Sequence, residues 1–185
     1  MGERLPSSLR VTSSEATLAE LQGDTGEALV EKCNTAAAKV KGAVIVESSA
    51  LAFNALASLP GPYIGAFVGK IGAEGLVTLL ADFEDKTAVA EHRVAFSAGP
   101  GAAPKVFEGK VAGTIVQPRG SSGGGWYPAF LPDGSGATVA EMAAGSDERE
   151  AALPRGTAIQ ALEAFLLANA DSVAAEVEAC RVKGP

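Results

Sequence analysis

The side chains best placed for chemistry follow a short apolar run. Residues 43–46 read Ala-Val-Ile-Val, a continuous run typical of a buried strand, and Glu47, Ser48 and Ser49 come directly after it. Ligands of α/β proteins usually lie at the carboxyl ends of such strands, so these three residues are candidates for a binding site. The pattern is also compatible with a structural role, in which Glu47 caps a following helix.

The only histidine and the two cysteines carry the other reactive groups. His92 falls on the apolar side of the alternating segment 86–97, and no base or orienting acid is visible near it, which favours a structural role over catalysis. Cys33 and Cys180 lie far apart in the sequence, and a metal site or a disulfide framework needs more partners than the chain provides. We therefore interpret both cysteines as free thiols in a reducing compartment.

A glycine-rich segment at 118–125 leads to the only tryptophan, Trp126. Such segments hold phosphate when they run into a helix N-terminus, but this one runs into an aromatic, proline-containing stretch and lacks the Lys-Ser/Thr pair of a P-loop. The sequence therefore excludes a P-loop. Trp126 has two interpretations, which are stacking on a ligand and packing in the core or an interface.

The elements that must position these residues alternate between helix and strand. Helices are predicted at 25–41, at 64–68, at 74–80 and from residue 155 onward, and strands at 43–46, 86–97 and 106–116, the last as a kinked pair. The charged residues at 146–150 are predicted to form a solvated surface segment. We expect one domain over residues 1–170, followed by a C-terminal helical tail over 171–185.

Composition limits the classes of function. Against 22 acidic residues the chain has 15 Lys+Arg, and the resulting net charge of −7 disfavours nucleic-acid binding. Hydrophobic residues make up 47% of the chain but aromatic residues only 5%, so the core must consist mainly of Ala, Val, Leu and Ile. No apolar run approaches the ~18–20 residues of a membrane-spanning helix, and the first residues lack the apolar stretch of a secretory signal. We expect a cytoplasmic or organellar protein that is not secreted and has no membrane span.

Several segments, taken in chain order, resemble one known family. Among them are Val46-Glu47, Phe53-Asn54-Ala55-Leu56, Leu59-Pro60-Gly61-Pro62-Tyr63-Ile64, Phe83-Glu84-Asp85-Lys86, Pro118-Arg119-Gly120, Gly125-Trp126 and Pro132-Asp133-Gly134. Together they resemble the inosine triphosphate pyrophosphatase family, the Ham1-like nucleotide pyrophosphatases, over about residues 5–167. The resemblance implies an ITPase-like (Maf/Ham1) α/β fold with a long mixed sheet flanked by helices and two lobes, here without the family's first strand and helix. It also implies a homodimer and the Mg²⁺-dependent hydrolysis of purine nucleotides such as ITP, XTP and dITP to monophosphate and pyrophosphate.

The positions that carry the family's chemistry depart from its pattern. By the resemblance, Glu20 and Glu47 correspond to metal ligands, and the family's Glu-Asp pair reads Glu47-Ser48 here. A hydroxyl cannot supply the charge of the lost carboxylate, so we expect weaker Mg²⁺ coordination and weaker activation of the attacking water. Glu47 and Ser48 are therefore expected to be vestigial catalytic positions.

The substrate-binding positions are altered as well. The family's base-recognition loop, Phe-Gly-Trp-Asp-Pro, reads Gly-Gly-Trp-Tyr-Pro at 124–128 and keeps Trp126. The family's Ser-His-Arg signature reads Leu-Pro-Arg at 153–155, so only Arg155 remains, and Arg149 corresponds to a family lysine. The resemblance thus implies vestigial substrate binding by Trp126, Arg149 and Arg155.

These observations support three hypotheses. The first is an ITPase-like pseudoenzyme that serves as a binding or structural subunit within a larger assembly, with a protein partner or as a homodimer. The second is an active Mg²⁺-dependent nucleoside triphosphate pyrophosphatase, with Glu20 and Glu47 on the metal and Arg149 on phosphate. The third is a nucleotide sensor that binds a purine nucleotide without cleaving it, with Trp126 stacked on the base.

Overall fold

The computed structural model describes Thr12 and residues 25–182. The elements follow the order α1 Thr25–Val40, β1 Val44–Phe53, β2 Pro60–Gly61, α2 Ile64–Leu79, β3 Thr87–Ser97, β4 Lys105–Ile115, β5 Phe130–Pro132, α3 Asp147–Ala151, α4 Pro154–Ala168 and α5 Ala170–Val182. Single 3₁₀ turns occupy Asn54–Leu56 and Tyr127–Ala129. The predicted helix over 25–41, the predicted strand over 86–97 and the predicted helix from residue 155 are confirmed.

The first strand is longer than predicted. β1 continues through Phe53 instead of ending at residue 46, because Leu51 and Phe53 are fully buried and hold the chain in the sheet. Glu47 and Ser49 are exposed and Ser48 is half-buried, an alternation that belongs to a strand. The prediction that these polar residues stand at the carboxyl end of a strand is therefore wrong, since they lie in its middle.

Two predictions about glycine-containing segments are also corrected. The short helices predicted at 64–68 and 74–80 belong to one element, α2, which is interrupted at Gly72 with a φ of 68° and a ψ of −175°. Glycine adopts such a positive φ readily because it has no Cβ. The kinked strand pair predicted at 106–116 is a single strand, β4. A Cβ on Gly113 of this strand would lie 2.5 Å from the carbonyl oxygen of Leu131, so glycine lets β5 approach closely.

The five strands form one sheet in the order β2-β1-β3-β4-β5. β1 pairs antiparallel with β2, where Leu51 lies opposite Gly61, and β4 pairs antiparallel with β5, where Gly113 lies opposite Pro132. The α/β fold with a helix-flanked sheet is thereby confirmed. Among the described residues the sheet is antiparallel, so the mixed sheet that the resemblance implies is not found there.

Side-chain hydrogen bonds show the direction of the central pair. Asn54 Nδ2 donates to Thr87 Oγ1 at 2.7 Å, and Ser49 Oγ lies 2.9 Å from His92 Nδ1. From the first pair to the second, the residue number falls by 54 − 49 = 5 on the β1 side and rises by 92 − 87 = 5 on β3. β1 and β3 therefore run antiparallel, and Ser49 and His92 are cross-strand neighbours.

The chain divides into two compact units. Among the described residues, unit 1 comprises 25–48, 93–108 and 157–182, and unit 2 comprises Ser49–His92 and Gly109–Gly156. The core of unit 1 contains Val94, Ala158, Leu162, Leu166 and Val173. The core of unit 2 contains the fully buried Leu51, Phe53, Leu76, Leu80 and Phe130.

Some expectations remain predictions in light of this architecture. The division into one domain over 1–170 and a helical tail over 171–185 stays a prediction. Val173 of the last helix, α5, is only 2% exposed and belongs to the core of unit 1. The absence of the family's first strand and helix concerns residues before 25, which, apart from Thr12, lie outside the described part of the chain, as does Glu20. Within the described residues, no helix has both the length and the apolar character needed to cross a membrane.

Candidate functional site

Unit 2 contains a cavity of about 380 Å³. It is formed by residues of β1, β3, the 3₁₀ turn Tyr127–Ala129, α3 and the start of α4. Its polar and aromatic lining consists of Ser49, Glu91, His92, Trp126, Tyr127, Arg149, Glu150 and Arg155. Leu153 and Pro154 add apolar surface. The volume falls within the range of about 300–1,000 Å³ that is typical of small-molecule sites.

Arg149 carries the most deeply buried charge in this lining, with 7% of the residue exposed. It lies on α3, which begins where the Ser146 side chain accepts a hydrogen bond from the Arg149 backbone N–H at 3.2 Å. Its guanidinium donates to Ser122 Oγ at 2.5 Å and to the Ser122 carbonyl oxygen at 3.3 Å. The guanidinium also lies 5.2 Å from the centroid of the Tyr127 ring. The prediction that 146–150 is a solvated segment is therefore wrong for Arg149.

The contacts of Arg149 leave its charge without a carboxylate partner. Ser122 and Tyr127 are uncharged, and no ion pair among the described residues includes Arg149. A guanidinium stays protonated in proteins, and burying a charge away from a counter-charge is costly. The cavity is thus suited to a ligand that brings negative charge or hydrogen-bond acceptors to Arg149.

The glycine-rich segment packs against this guanidinium. Gly123 has a φ of +82°, and a Cβ at this position would lie 2.5 Å from Arg149 Nη2 and 2.8 Å from Tyr127 Cδ2. Only a residue without a side chain therefore fits while Arg149 keeps its place. The segment that fails the P-loop pattern does have a physical role, which is to back the buried arginine.

Two aromatic rings form part of the wall. Trp126 and Tyr127 are both half-buried, and their ring centroids lie 4.8 Å apart in an edge-on arrangement. Trp126 also meets Phe130 edge-on at 5.3 Å and packs on the core of unit 2. Trp126 therefore both packs against the core of unit 2 and lines the cavity. Tyr127 stands where the resemblance implies that a carboxylate is lost, and it adds a second ring to the wall.

The histidine has a partner that sequence reasoning did not find. His92 is 6% exposed, as its place on the apolar side of β3 predicts, and its Nδ1 faces the Ser49 hydroxyl. Ser49 lies 43 residues earlier in the chain, so only the antiparallel pairing of β1 with β3 brings the two together. The neighbouring Glu91 forms an ion pair with Lys110 at 3.3 Å.

The structure brings some of the predicted site residues together. Three residues that the resemblance implies as substrate-binding residues line this cavity, namely Trp126, Arg149 and Arg155. Their binding role stays a prediction. Sequence reasoning did not assign His92 and Tyr127 to the site; the aromatic pair at 126–127 was the only local signal for Tyr127.

The residues implied to bind Mg²⁺ do not form a complete ligand set within the described residues. Glu47 and Ser48 belong to unit 1, and as neighbours on a strand their side chains point to opposite faces of the sheet. Within residues 25–182, no group of three or more His, Cys, Asp or Glu side chains is placed to hold a metal ion. Since Mg²⁺ prefers several oxygen ligands, the described donors do not fit this ion by themselves. The roles of Glu20 and Glu47 as metal ligands stay predictions.

The structure thus combines an α/β fold with a cavity whose lining includes two arginines, two glutamates, a histidine and two aromatic rings. The chain belongs to the Ham1 family, whose family model matches residues 3–165. This match confirms the resemblance found in the sequence.

Solved structures share the fold. The chain is similar to a HAM1 protein from Coxiella burnetii, with 26% identity and a TM-score of 0.75 over 82% of this chain and 81% of that one. It is similar to the Ham1 protein of Staphylococcus aureus, with 28% identity and a TM-score of 0.70 over 84% and 82%. It is also similar to a Mycobacterium abscessus protein described as a nucleoside-triphosphatase / dITP/XTP pyrophosphatase, with 26% identity and a TM-score of 0.66 over 81% and 79%.

Proposed function

We propose that this Ham1-family protein binds a purine nucleotide in the cavity of unit 2 and has lost most of the family's pyrophosphatase turnover. In this proposal it is a pseudoenzyme that serves as a binding or structural subunit, as a homodimer or with a protein partner in a larger assembly. A sensor of nucleotide concentration would use the same binding without cleavage. The observation that carries the proposal is the buried Arg149 in the wall of an aromatic-lined cavity.

A nucleotide matches the chemistry of this wall. Arg149 offers only hydrogen-bond donors and a positive charge, which suit the keto oxygen and ring nitrogen of a purine or the oxygens of a phosphate. Arg155 adds a second cation at an exposed position of the lining. A base that stacks on Trp126 or Tyr127 gains about 1–3 kcal/mol.

The loss of turnover is proposed from the altered catalytic positions. Ser48 replaces a carboxylate of the family pattern, and the removal of one preorganised electrostatic group typically lowers turnover by about 10²–10³. The position of Glu47 in mid-strand, next to a hydroxyl instead of a second carboxylate, supports weak metal binding. A protein that keeps the cations and aromatic rings of this wall but has an altered metal site would bind nucleotide and release it unchanged.

Titration with ITP in Mg²⁺-free buffer, followed by Trp126 fluorescence and by calorimetry, tests the proposed binding. We expect Arg149→Ala to weaken ITP binding by at least about tenfold, because a hydrogen bond to a charged group contributes about 1.5–3 kcal/mol. Arg119→Ala is the matched control, since Arg119 is exposed, lies outside the lining and pairs with Glu141 at 3.4 Å. An unchanged affinity in Arg149→Ala, or the absence of binding by the native protein, contradicts the proposal.

The second candidate is an active Mg²⁺-dependent pyrophosphatase acting on ITP, XTP or dITP. Membership of the Ham1 family and the likeness to the Mycobacterium abscessus protein favour it. A pyrophosphate-release assay with Mg²⁺ separates the two candidates. Turnover by the native protein far above that of Glu47→Ala supports an enzyme, and equal background rates support the pseudoenzyme.

A further inference from the structure

Thr138 is a fully buried polar residue that lies outside the cavity lining. Its hydroxyl proton lies between two acceptors, which are the Arg119 carbonyl oxygen at 3.0 Å and Glu141 Oε2 at 3.1 Å. The Glu141 carboxylate also accepts a hydrogen bond from the Thr138 backbone N–H at 2.8 Å. A buried hydroxyl group is costly unless it is hydrogen-bonded, so the contact with Arg119 joins two separate stretches of chain.

The residues after position 119 are held against the same stretch of chain. The Ser122 backbone N–H donates to the Ala140 carbonyl oxygen at 3.0 Å. Gly120 has a φ of +76°, and a Cβ at this position would lie 2.5 Å from the carbonyl carbon and oxygen of Ala140. Residues 119–122, which we call the Ser122 segment, are therefore packed closely against residues 138–141.

We propose that Thr138 is a positioning residue for nucleotide binding, because it holds the Ser122 segment where Ser122 orients the guanidinium of Arg149. This inference rests on the proposed function, in which Arg149 contacts the ligand. Ser122 accepts from two different nitrogens of Arg149, with its hydroxyl from Nη1 and with its carbonyl oxygen from Nη2. Two such contacts fix both the position and the plane of the guanidinium. A shift of the Ser122 segment therefore moves the buried charge.

Arg119 takes part in this arrangement through its backbone. Its carbonyl oxygen accepts from Thr138, and its N–H donates to the Pro128 carbonyl oxygen at 2.9 Å. Its side chain is exposed and pairs with Glu141 at 3.4 Å, and an exposed ion pair contributes little to stability. Arg119→Ala therefore keeps the Ser122 segment in place and remains a valid control for nucleotide binding.

A purely structural role for Thr138 makes a different prediction. In that case loss of its hydroxyl would loosen the connection between β5 and α3 and would weaken ITP binding whether or not Arg149 is present. Ser135 provides a matched control in the same connection. Its hydroxyl donates to the Ala137 carbonyl oxygen at 2.8 Å, and among the described residues its side-chain hydrogen bonds do not reach the Ser122 segment.

The test measures the dissociation constant of ITP by calorimetry in Mg²⁺-free buffer, at a temperature where every variant is folded. We expect Thr138→Val, which replaces the hydroxyl with a methyl group, to weaken ITP binding by about three- to tenfold. Thr138→Ser, which keeps the hydroxyl, and Ser135→Ala should each stay within about twofold of the native protein. In an Arg149→Ala background, Thr138→Val should weaken binding by less than about twofold, because the side chain that the Ser122 segment orients is gone.

A second measurement needs no nucleotide. In urea denaturation, Thr138→Val and Arg149→Ala together should lower the free energy of unfolding by less than the sum of their separate effects, because the two residues are connected through Ser122. Additive effects overturn the role of Thr138. This measurement decides the question even if Arg149→Ala binds ITP too weakly for calorimetry.

The outcomes separate this inference from the proposed function. Native binding that Thr138→Val leaves unchanged, or weakens equally with and without Arg149, overturns the role of Thr138 and leaves the proposed function standing. An equal loss of affinity in Ser135→Ala overturns that role as well. Native protein that does not bind ITP overturns both.

Discussion

The contact between Gly123 and Arg149 predicts an energetic cost of substitution that can be separated from the cost of backbone strain. Gly123→Ala places a Cβ only 2.5 Å from the present position of Arg149 Nη2 and forces a side chain into a φ of +82°. The left-handed conformation costs about 1–2 kcal/mol for a residue other than glycine. Displacing the guanidinium breaks its hydrogen bond to the Ser122 carbonyl oxygen, which adds about 1.5–3 kcal/mol. We therefore expect Gly123→Ala to lower the free energy of unfolding by about 2.5–5 kcal/mol.

Gly125→Ala is the matched control for this substitution. Gly125 lies in the same segment with a φ of +71°, but a Cβ there meets no atom within 4 Å. We expect it to cost only the backbone strain of about 1–2 kcal/mol and to leave ITP affinity unchanged. Urea denaturation gives the two free energies, and calorimetric titration gives the two affinities. Equal destabilisation and equal affinity in the two variants would refute the idea that this glycine positions the arginine.

Three further predictions concern other parts of the molecule. Burial raises the pKa of the Cys33 thiol from 9.0 to about 11. At pH 8 we therefore expect about 100-fold less thiolate in the folded protein than in the unfolded chain. Alkylation of Cys33 by iodoacetamide, followed by peptide mass spectrometry, should be slower in the folded protein by the same factor. The backbone N–H of Thr138 holds the pKa of the Glu141 carboxyl below its usual value. The ionised Glu141 carboxylate therefore stabilises the folded protein fully above the unfolded pKa of about 4.3, and this stabilisation is lost as the pH falls through the folded pKa. When the free energy of unfolding is measured against pH, Glu141→Gln should make its decrease at acidic pH less steep. Leu162 is fully buried in unit 1, and Leu162→Ala should lower the free energy of unfolding by about 2–5 kcal/mol. Leu167 is 50% exposed, and Leu167→Ala should change this free energy by less than about 0.5 kcal/mol. Equal effects of the two substitutions would contradict this assignment of the core.

The elements predicted correctly are those with a strong local pattern. The alternation of Ala88, Ala90, His92 and Val94 predicts β3 because each successive pair of residues must face opposite sides of a sheet. The end of β1 was predicted wrongly because Glu47, Ser48 and Ser49 interrupt the apolar run. What keeps them in the strand is pairing with β3, which is a long-range contact.

The site was predictable to the extent that single residues resemble a family pattern. Trp126, Arg149 and Arg155 could be named from the sequence, but their meeting in one cavity depends on packing between segments distant in the chain. The burial of Arg149 could not be predicted, since α3 spans only five mostly charged residues, Asp147–Ala151, and carries no clear periodicity. The partnership of His92 with Ser49 depends on strand register, which no local pattern specifies.

Because both units are assembled from separated stretches of chain, they become complete at different moments of protein synthesis. Every stretch of unit 2 has left the ribosome once Gly156 has emerged, whereas the last stretch of unit 1 begins only at Thr157. The core of unit 1 is therefore completed only after α5 has been synthesised, because Val173 of this helix is part of that core. During that interval the residues of unit 1 that pack against α4 and α5 lack these partners, while every residue of the cavity lining has already been synthesised.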